Sequence, residues 1–167
     1  MALSLVIRQY REEDREQCQG LWGELTEWHH KIYEDSSIGG EHLGVYFDKH
    51  LAKVGPEHLW VAVHDSKVVG LVGLELKGEE TEIEPLVVSE NYRHRDIVTR
   101  LIETILRETR KSGMKYLNVT PVARNIETIR FLYRRGFTNP THINLFVDFS
   151  RHTWKPGPQI FGCRFNY

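Results

Sequence analysis

Apolar positions along the chain switch between helical and strand spacing, and the order of the switches predicts the architecture. Residues 3–8 (Leu3-Ser4-Leu5-Val6-Ile7-Arg8) are strand-like. Arg11-Glu12-Glu13-Asp14 then opens a helix with acidic residues in its first turn, where the helix dipole favours them. Cys18, Leu21, Trp22, Leu25 and Trp28 follow at three- and four-residue spacing, a buried helix face in which both tryptophans serve as core. The run Ser36-Ser37-Ile38-Gly39-Gly40 breaks that pattern. Leu43, Phe47, Leu51 and Val54 then mark a second helix, ending at Gly55-Pro56.

Two helices thus precede the main sheet. Residues 59–63 (Leu-Trp-Val-Ala-Val), the polar turn His64-Asp65-Ser66-Lys67 and residues 68–76 form an antiparallel hairpin, because β-branched runs flank a short turn. Residues 82–88 make another strand, in which Pro85 lacks an N–H for the ladder and so implies an edge or a bulge. Ile97, Val98, Leu101, Ile102, Ile105 and Leu106 define an amphipathic helix closed by Gly113. A strand at 116–120, a helix at 125–135 stopped by Gly136, and a final strand at 143–149 complete the order. The expected fold class is α+β: a mixed, mostly antiparallel central sheet with one locally parallel pair, flanked by about four helices.

The chain has 167 residues, 40% hydrophobic and 27% charged, which fits one folded domain and not a disordered chain. No repeat or low-complexity linker divides it, so residues 1–167 are expected to form a single domain, with the aromatic and basic tail 151–167 packed on that domain or on a second subunit. A homodimer is one expected arrangement. No apolar run reaches the roughly 18 residues of a membrane span, and the start lacks a basic, then apolar, leader, so a cytoplasmic chain without a membrane partner is expected. Cys18 and Cys163 lie far apart and form no metal spacing. Neither a metal site nor a nucleophile elbow or P-loop appears among the motifs.

Formal net charge is -1, which argues against a general nucleic-acid binder. That figure hides an asymmetry. Residues 1–90 carry 8 basic and 18 acidic side chains, residues 91–135 carry 11 and 4, and residues 136–167 carry 3 and 1. Two solvated faces explain this, and so do two ligands of opposite sign. The chemistry concentrates between Glu84 and Val98, where a strand, a short polar connection and a helix start follow one another. Such a helix start offers free N–H groups to an anion, and Arg93, His94 and Arg95 stand just before it.

Two segments resemble the GNAT superfamily of acyl-CoA-dependent N-acetyltransferases. Residues 86–98 (Leu-Val-Val-Ser-Glu-Asn-Tyr-Arg-His-Arg-Asp-Ile-Val) look like the family's pyrophosphate loop, with Arg93 and Ile97 at matching positions. Residues 125–137, from Asn125 to Gly136-Phe137, are similar to its Asn-led helix. The resemblance implies acetyl-CoA as acetyl donor, held by Val87, Val88, Arg93, His94, Arg95, Asp96, Ile97, Val98 and Asn125, with main-chain N–H groups near Val87 and Val88 polarising the thioester oxygen. It implies Glu84 as base for an acceptor amine of a small molecule or protein, with Glu82 on the same strand face. It places His29, His30 and Tyr33 at the border of the acceptor pocket, although a solvated loop explains them equally well.

There are also departures. Asp96 and Val98 stand where the family has Gly and Gly or Ala, and an Asp96 carboxylate is able to cap the helix N-terminus and repel phosphate. Where many members place the Tyr that protonates the departing thiolate, this chain has Leu132; Tyr133, one residue on, is a packing or surface residue or a replacement acid. A non-catalytic GNAT-like binding or regulatory module is the alternative, and an RNA-associated protein using the basic half and the tail is a third.

Overall fold

The computed structural model describes residues 5–35, 43–93, 96–150 and 152–166. Its contacts divide the chain into two compact units, Met1–Thr120 and Pro121–Tyr167. In the first unit five strands, β1 (Leu5–Gln9), β2 (Leu59–His64), β3 (Lys67–Lys77), β4 (Glu80–Val88) and β5 (Tyr116–Asn118), form one sheet in sequence order. All neighbours are antiparallel except β4 and β5, the expected parallel pair. Helices α1 (Arg15–Tyr33), α2 (Leu43–Val54) and α3 (Ile97–Lys111) belong to the same unit. The β2–β3 turn has Asp65 and Ser66 both at positive φ, the twist that suits a two-residue hairpin.

Burial follows the apolar stripes. Cys18 and Leu21 of α1, with Phe47, Leu51 and Val54 of α2, pack on Leu59, Val61, Leu71 and Val87 of the sheet. Adjacent strand positions face opposite ways. Gly70, next to Leu71, therefore meets the other layer, where an added Cβ would lie 3.1 Å from Leu101 and 3.4 Å from Ile97 of α3. Trp22 and Trp28 are half-buried; Trp22 packs against this core as expected, whereas Trp28 is not part of it. Each has an aromatic or cationic neighbour in the site described below.

The acidic start predicted for α1 is built differently. Glu12–Asp14 form a 3-10 turn, and Asp14 is buried under a two-pronged pair with Arg8 at 2.7 and 2.8 Å, while the Arg11 N–H donates to it at 2.8 Å. Burial pushes the Asp14 carboxyl up, and these bonds outweigh that effect and hold it below the usual carboxylate range.

In the second unit, α4 (Ile126–Arg134) begins at Asn125 as predicted. The strand expected at 143–149 is absent. Ile143, Leu145, Phe146, Val147 and Phe149 are exposed in an irregular segment. Strand propensity acts only where a partner strand exists. Here the unit's pairing is taken by β6 (Pro156–Ile160) and β7 (Cys163–Asn166), a hairpin inside the tail turning on Phe161-Gly162. Asp148, accepting from the Ser150 N–H and Trp154 Nε1 at 2.7 Å each, folds the chain back just beyond the segment. Among the described residues no helix is long and apolar enough to cross a membrane, and no group of His, Cys, Asp and Glu side chains is placed to hold a metal ion. Cys18 and Cys163 are both free thiols.

Candidate active site

The site is built on an irregularity in β4. Val72 pairs with Leu86 and Leu74 with Ile83, so two residues, Glu84 and Pro85, lie opposite the single Gly73, and β4 carries one extra residue. This is the bulge that Pro85 implied. On its other edge β4 pairs with β5 only from Glu80 to Glu82, and runs on to Val88 without a strand beside it in the first unit. The Ser89 N–H donates to Val69 O at 2.9 Å, and antiparallel ladders alternate the direction of their main-chain groups. The Val87 groups therefore point to β3, and those of Val88 point to the open edge. Both side chains are buried.

Glu82 and Glu84 share a strand face, as expected from their spacing, but their surroundings separate them. Glu82 pairs with Lys77 Nζ and accepts from Thr120 Oγ1 at 2.8 Å; the Lys77 hydrogen bond is the largest influence and holds its carboxyl below the usual range. Glu84 is exposed and has no ion-pair partner among the described residues, while its carboxyl interacts with Glu75. Glu75, from β3, is paired with Lys53 of α2 at 2.7 Å, which keeps it ionised below its ordinary range. Of three carboxylates at the bulge, two are paired with lysines, and Glu84 makes no ion pair among the described residues.

Beyond Val88 the chain makes a 3-10 turn at Glu90–Tyr92, pinned by Glu24 of α1, whose carboxylate accepts from Ser89 Oγ and the Glu90 N–H at 3.0 Å each. Glu24 was not singled out from the sequence; a lone Glu on a helix face gives no signal of a cap formed 66 residues away. Arg93 lies over the Trp28 ring, 4.7 Å from its centroid, and its Nε donates to Val88 O at 3.4 Å. His94 and Arg95 fall outside the described residues. Asp96 is exposed at φ 62 and ψ 7, the left-handed region, and its side chain makes no capping bond. The expected cap is thus not formed. The first N–H groups of α3, which no intrahelical carbonyl satisfies, receive nothing from this carboxylate. Asp tolerates the left-handed region better than most side chains, which lets Asp96 hold this backbone conformation. Ile97 is buried and Val98 half-buried, so the helix start is anchored against the sheet.

Among the residues expected at the acceptor border, His29 and Tyr33 touch edge-to-face at 6.5 Å between ring centroids near the end of α1. Burial, and then neighbouring His30, holds the His29 imidazole below its ordinary proton affinity. His29 follows Trp28 directly on α1, and Tyr33 lies about one helical turn beyond His29. The loop that follows, residues 36–42, is outside the described residues. In the second unit the Asn125 side chain accepts from the Thr128 N–H at 3.1 Å and caps α4. Leu132 is 2% exposed and Tyr133 64%. The phenol therefore occupies a surface position on α4, while the residue at the family's Tyr position is buried.

Among the described residues, the edge of β4 beyond Glu82 has no first-unit strand beside it, the start of α3 receives no cap from Asp96, and Glu84 makes no ion pair. The chain resembles solved structures over most of its length. One is an aminoglycoside N-acetyltransferase, AAC(6')-Iy, in complex with CoA, with 14% identity, TM-score 0.66, and coverage of 89% of this chain and 97% of that one. Another is the ribosomal-protein-S18-alanine N-acetyltransferase from Escherichia coli, at 14% identity, TM-score 0.65 and coverage of 83% and 80%. A third is a transcriptional regulator from Bacillus halodurans, at 19% identity, TM-score 0.63 and coverage of 87% and 100%. At these identities the likeness carries the fold alone. The acetyltransferase (GNAT) family model matches residues 9–137, most of the chain, and the protein belongs to that family.

Proposed function

We propose that this protein is an N-acetyltransferase that moves an acetyl group from acetyl-CoA to an amine of a small molecule or protein, with Glu84 as the base. The observation that carries this reading is Glu84 at the β4 bulge: an exposed carboxylate with no ion pair among the described residues, beside an edge from which β5 has withdrawn. Acetyl-CoA supplies an activated thioester carbonyl. The N–H of Val88 polarises that oxygen, and the start of α3 with Arg93, His94 and Arg95 holds the phosphates. Glu84 removes the ammonium proton as the amine becomes a nucleophile. Of the remaining residues implied by resemblance, Ile97 and Val98 fix the helix start, Asn125 shapes α4 by capping it, and His29, His30 and Tyr33 border the acceptor.

A specific observation favours the second reading, a binding or regulatory module: buried Leu132 supplies no proton to a departing thiolate, and Tyr133 is at the surface. Calorimetric titration with acetyl-CoA, followed by CoA, tests the enzyme reading. A one-to-one complex with acetyl-CoA is expected, and no heat at millimolar ligand would sink it.

Asp96 makes a separate expectation. Asp96→Gly removes a left-handed backbone cost of about 1 kcal/mol and a carboxylate beside the phosphates, a repulsion of about 1 kcal/mol in water at 4 Å. The variant should melt higher and bind acetyl-CoA roughly five-fold more tightly, as 1 kcal/mol implies. Weaker binding in the same titration would mean that Asp96 contributes positively to ligand recognition.

A further inference from the structure

One polar side chain buried at the site has no place in the chemistry above. His50 stands on the apolar face of α2 among Phe47, Leu51 and Val54, and is itself 7% exposed. Its Nε2 is buried and makes no hydrogen bond. A buried ring nitrogen without a partner costs on the order of 1–3 kcal/mol, and a phenylalanine or leucine would fill such a place without that cost. The ring lies in a tilted arrangement on Trp22 of α1, 5.2 Å between centroids, and both the main chain and the carboxylate of Glu84 act on its proton affinity. It is thus a neighbour of the bulge that carries the candidate base.

We propose that His50 is a positioning residue for Glu84: the buried imidazole, held against Trp22 and neighbouring Glu84, supports the bulge in the neutral state and weakens the base when it becomes a cation. The proposal rests on the acetyltransferase reading for its catalytic consequence, but not for the contact itself.

The charged groups facing His50 set the direction of its titration. Burial has the largest influence and lowers its proton affinity; the Glu84 carboxylate and main chain raise it, Lys53 on the same helix lowers it, and Glu75 on β3 raises it. The neighbour from α1, Trp22, is uncharged. The net result lies below the ordinary histidine value, so the ring is neutral near pH 7. As the pH falls below that value, a cation forms next to Glu84 and opposes proton uptake by its carboxylate. The acid side of the rate profile then carries the ionisation of His50 as well as that of the base.

Two variants and one spectroscopic titration test this. His50→Phe keeps the stack on Trp22 but has no N–H and no charge. Its kcat should fall about 10- to 100-fold, the scale of a misplaced reacting group, with the acetyl-CoA dissociation constant unchanged. His50→Gln keeps a polar side chain that does not titrate, and should recover more of kcat than His50→Phe while losing the histidine component of the acid limb. Nitrogen-15 NMR of the imidazoles, read without any substrate, should show the His50 midpoint shift downward in Glu84→Gln, because a carboxylate that favoured the protonated ring is gone. A His50 midpoint that does not respond to Glu84→Gln would overturn the contact. A His50→Phe enzyme with wild-type kcat and pH profile would overturn the positioning role. Absence of any turnover in the unsubstituted protein would instead contradict the acetyltransferase reading, and the NMR titration would still decide the coupling of the two groups.

Discussion

Glu84→Gln should lower kcat by about 10²- to 10³-fold, the usual range for losing a positioned general base, while the acetyl-CoA dissociation constant stays within about twofold. An alkylammonium with a pKa near 10.4 is neutral in roughly one molecule in 2,500 at pH 7. The acceptor therefore arrives protonated and has to lose that proton on the enzyme. Glutamine keeps the shape and hydrogen-bonding capacity of the side chain but cannot take the proton. Glu82→Gln is the matched control on the same strand face. Glu82 is engaged by Lys77 and Thr120, so its loss should disturb stability more than turnover. Steady-state rates and calorimetric titrations on both variants decide the matter; a Glu84→Gln kcat within threefold of the parent removes Glu84 from the mechanism.

Gly73→Ala is expected to have the second-largest effect, through the backbone that carries Glu84. Gly73 lies opposite the bulge, and a Cβ there would sit 2.4 Å from Glu84 O and 2.7 Å from Leu59 Cδ2. The first of these is main chain and cannot swing aside, so β4 itself has to move. Overpacking of this kind costs about 1–3 kcal/mol, which corresponds to a Tm lower by roughly 3–10 °C for a chain of this size. Displacing the bulge should also cut kcat about 10-fold or more, with cofactor affinity largely kept because the α3 start is untouched. Gly20→Ala provides the contrast. Nothing lies within 4 Å of a Cβ at Gly20, which is exposed within α1, so the same chemical change should stabilise the protein by about 0.5–1 kcal/mol. A Gly73→Ala protein with unchanged melting and turnover would show that the bulge tolerates displacement.

Most of the first unit was legible because its signals are local and periodic. Trp22, Phe47 and Leu51 lie on faces that three- and four-residue spacing reveals, and Pro85 announces the bulge by lacking an N–H. Glu82 and Glu84 share a face because strands alternate. The division of labour between them was not legible, since it depends on where Lys77 and Thr120 arrive from other strands and loops. His50 was invisible for a related reason. A histidine at an apolar-stripe position reads as part of a helix face, and only the folded chain brings Glu84 near enough to act on it. Asp96 was read as a helix cap from its residue type, whereas on its left-handed backbone the side chain makes no capping bond. The error at residues 143–149 has the same root. Ile143, Leu145 and Val147 have strand propensity, but a strand needs a neighbour, and the tail hairpin forms its own pair instead. That hairpin carried a readable signal, Gly162 in a two-residue turn between strand-forming residues.

The most direct measurement is product analysis of the full-length protein with acetyl-CoA and a panel of amines comprising a polyamine, an aminoglycoside, an amino sugar and peptides with free N-termini or lysines, read by mass spectrometry together with thiol release. N-acetylated amine and free CoA in equal amounts, formed only when protein, acetyl-CoA and amine are all present and strongly reduced by Glu84→Gln, is the expected result. Acetyl-CoA binding without acetylated product or thiol release above the protein-free rate for any amine would contradict the enzyme reading and leave a GNAT-fold binding module.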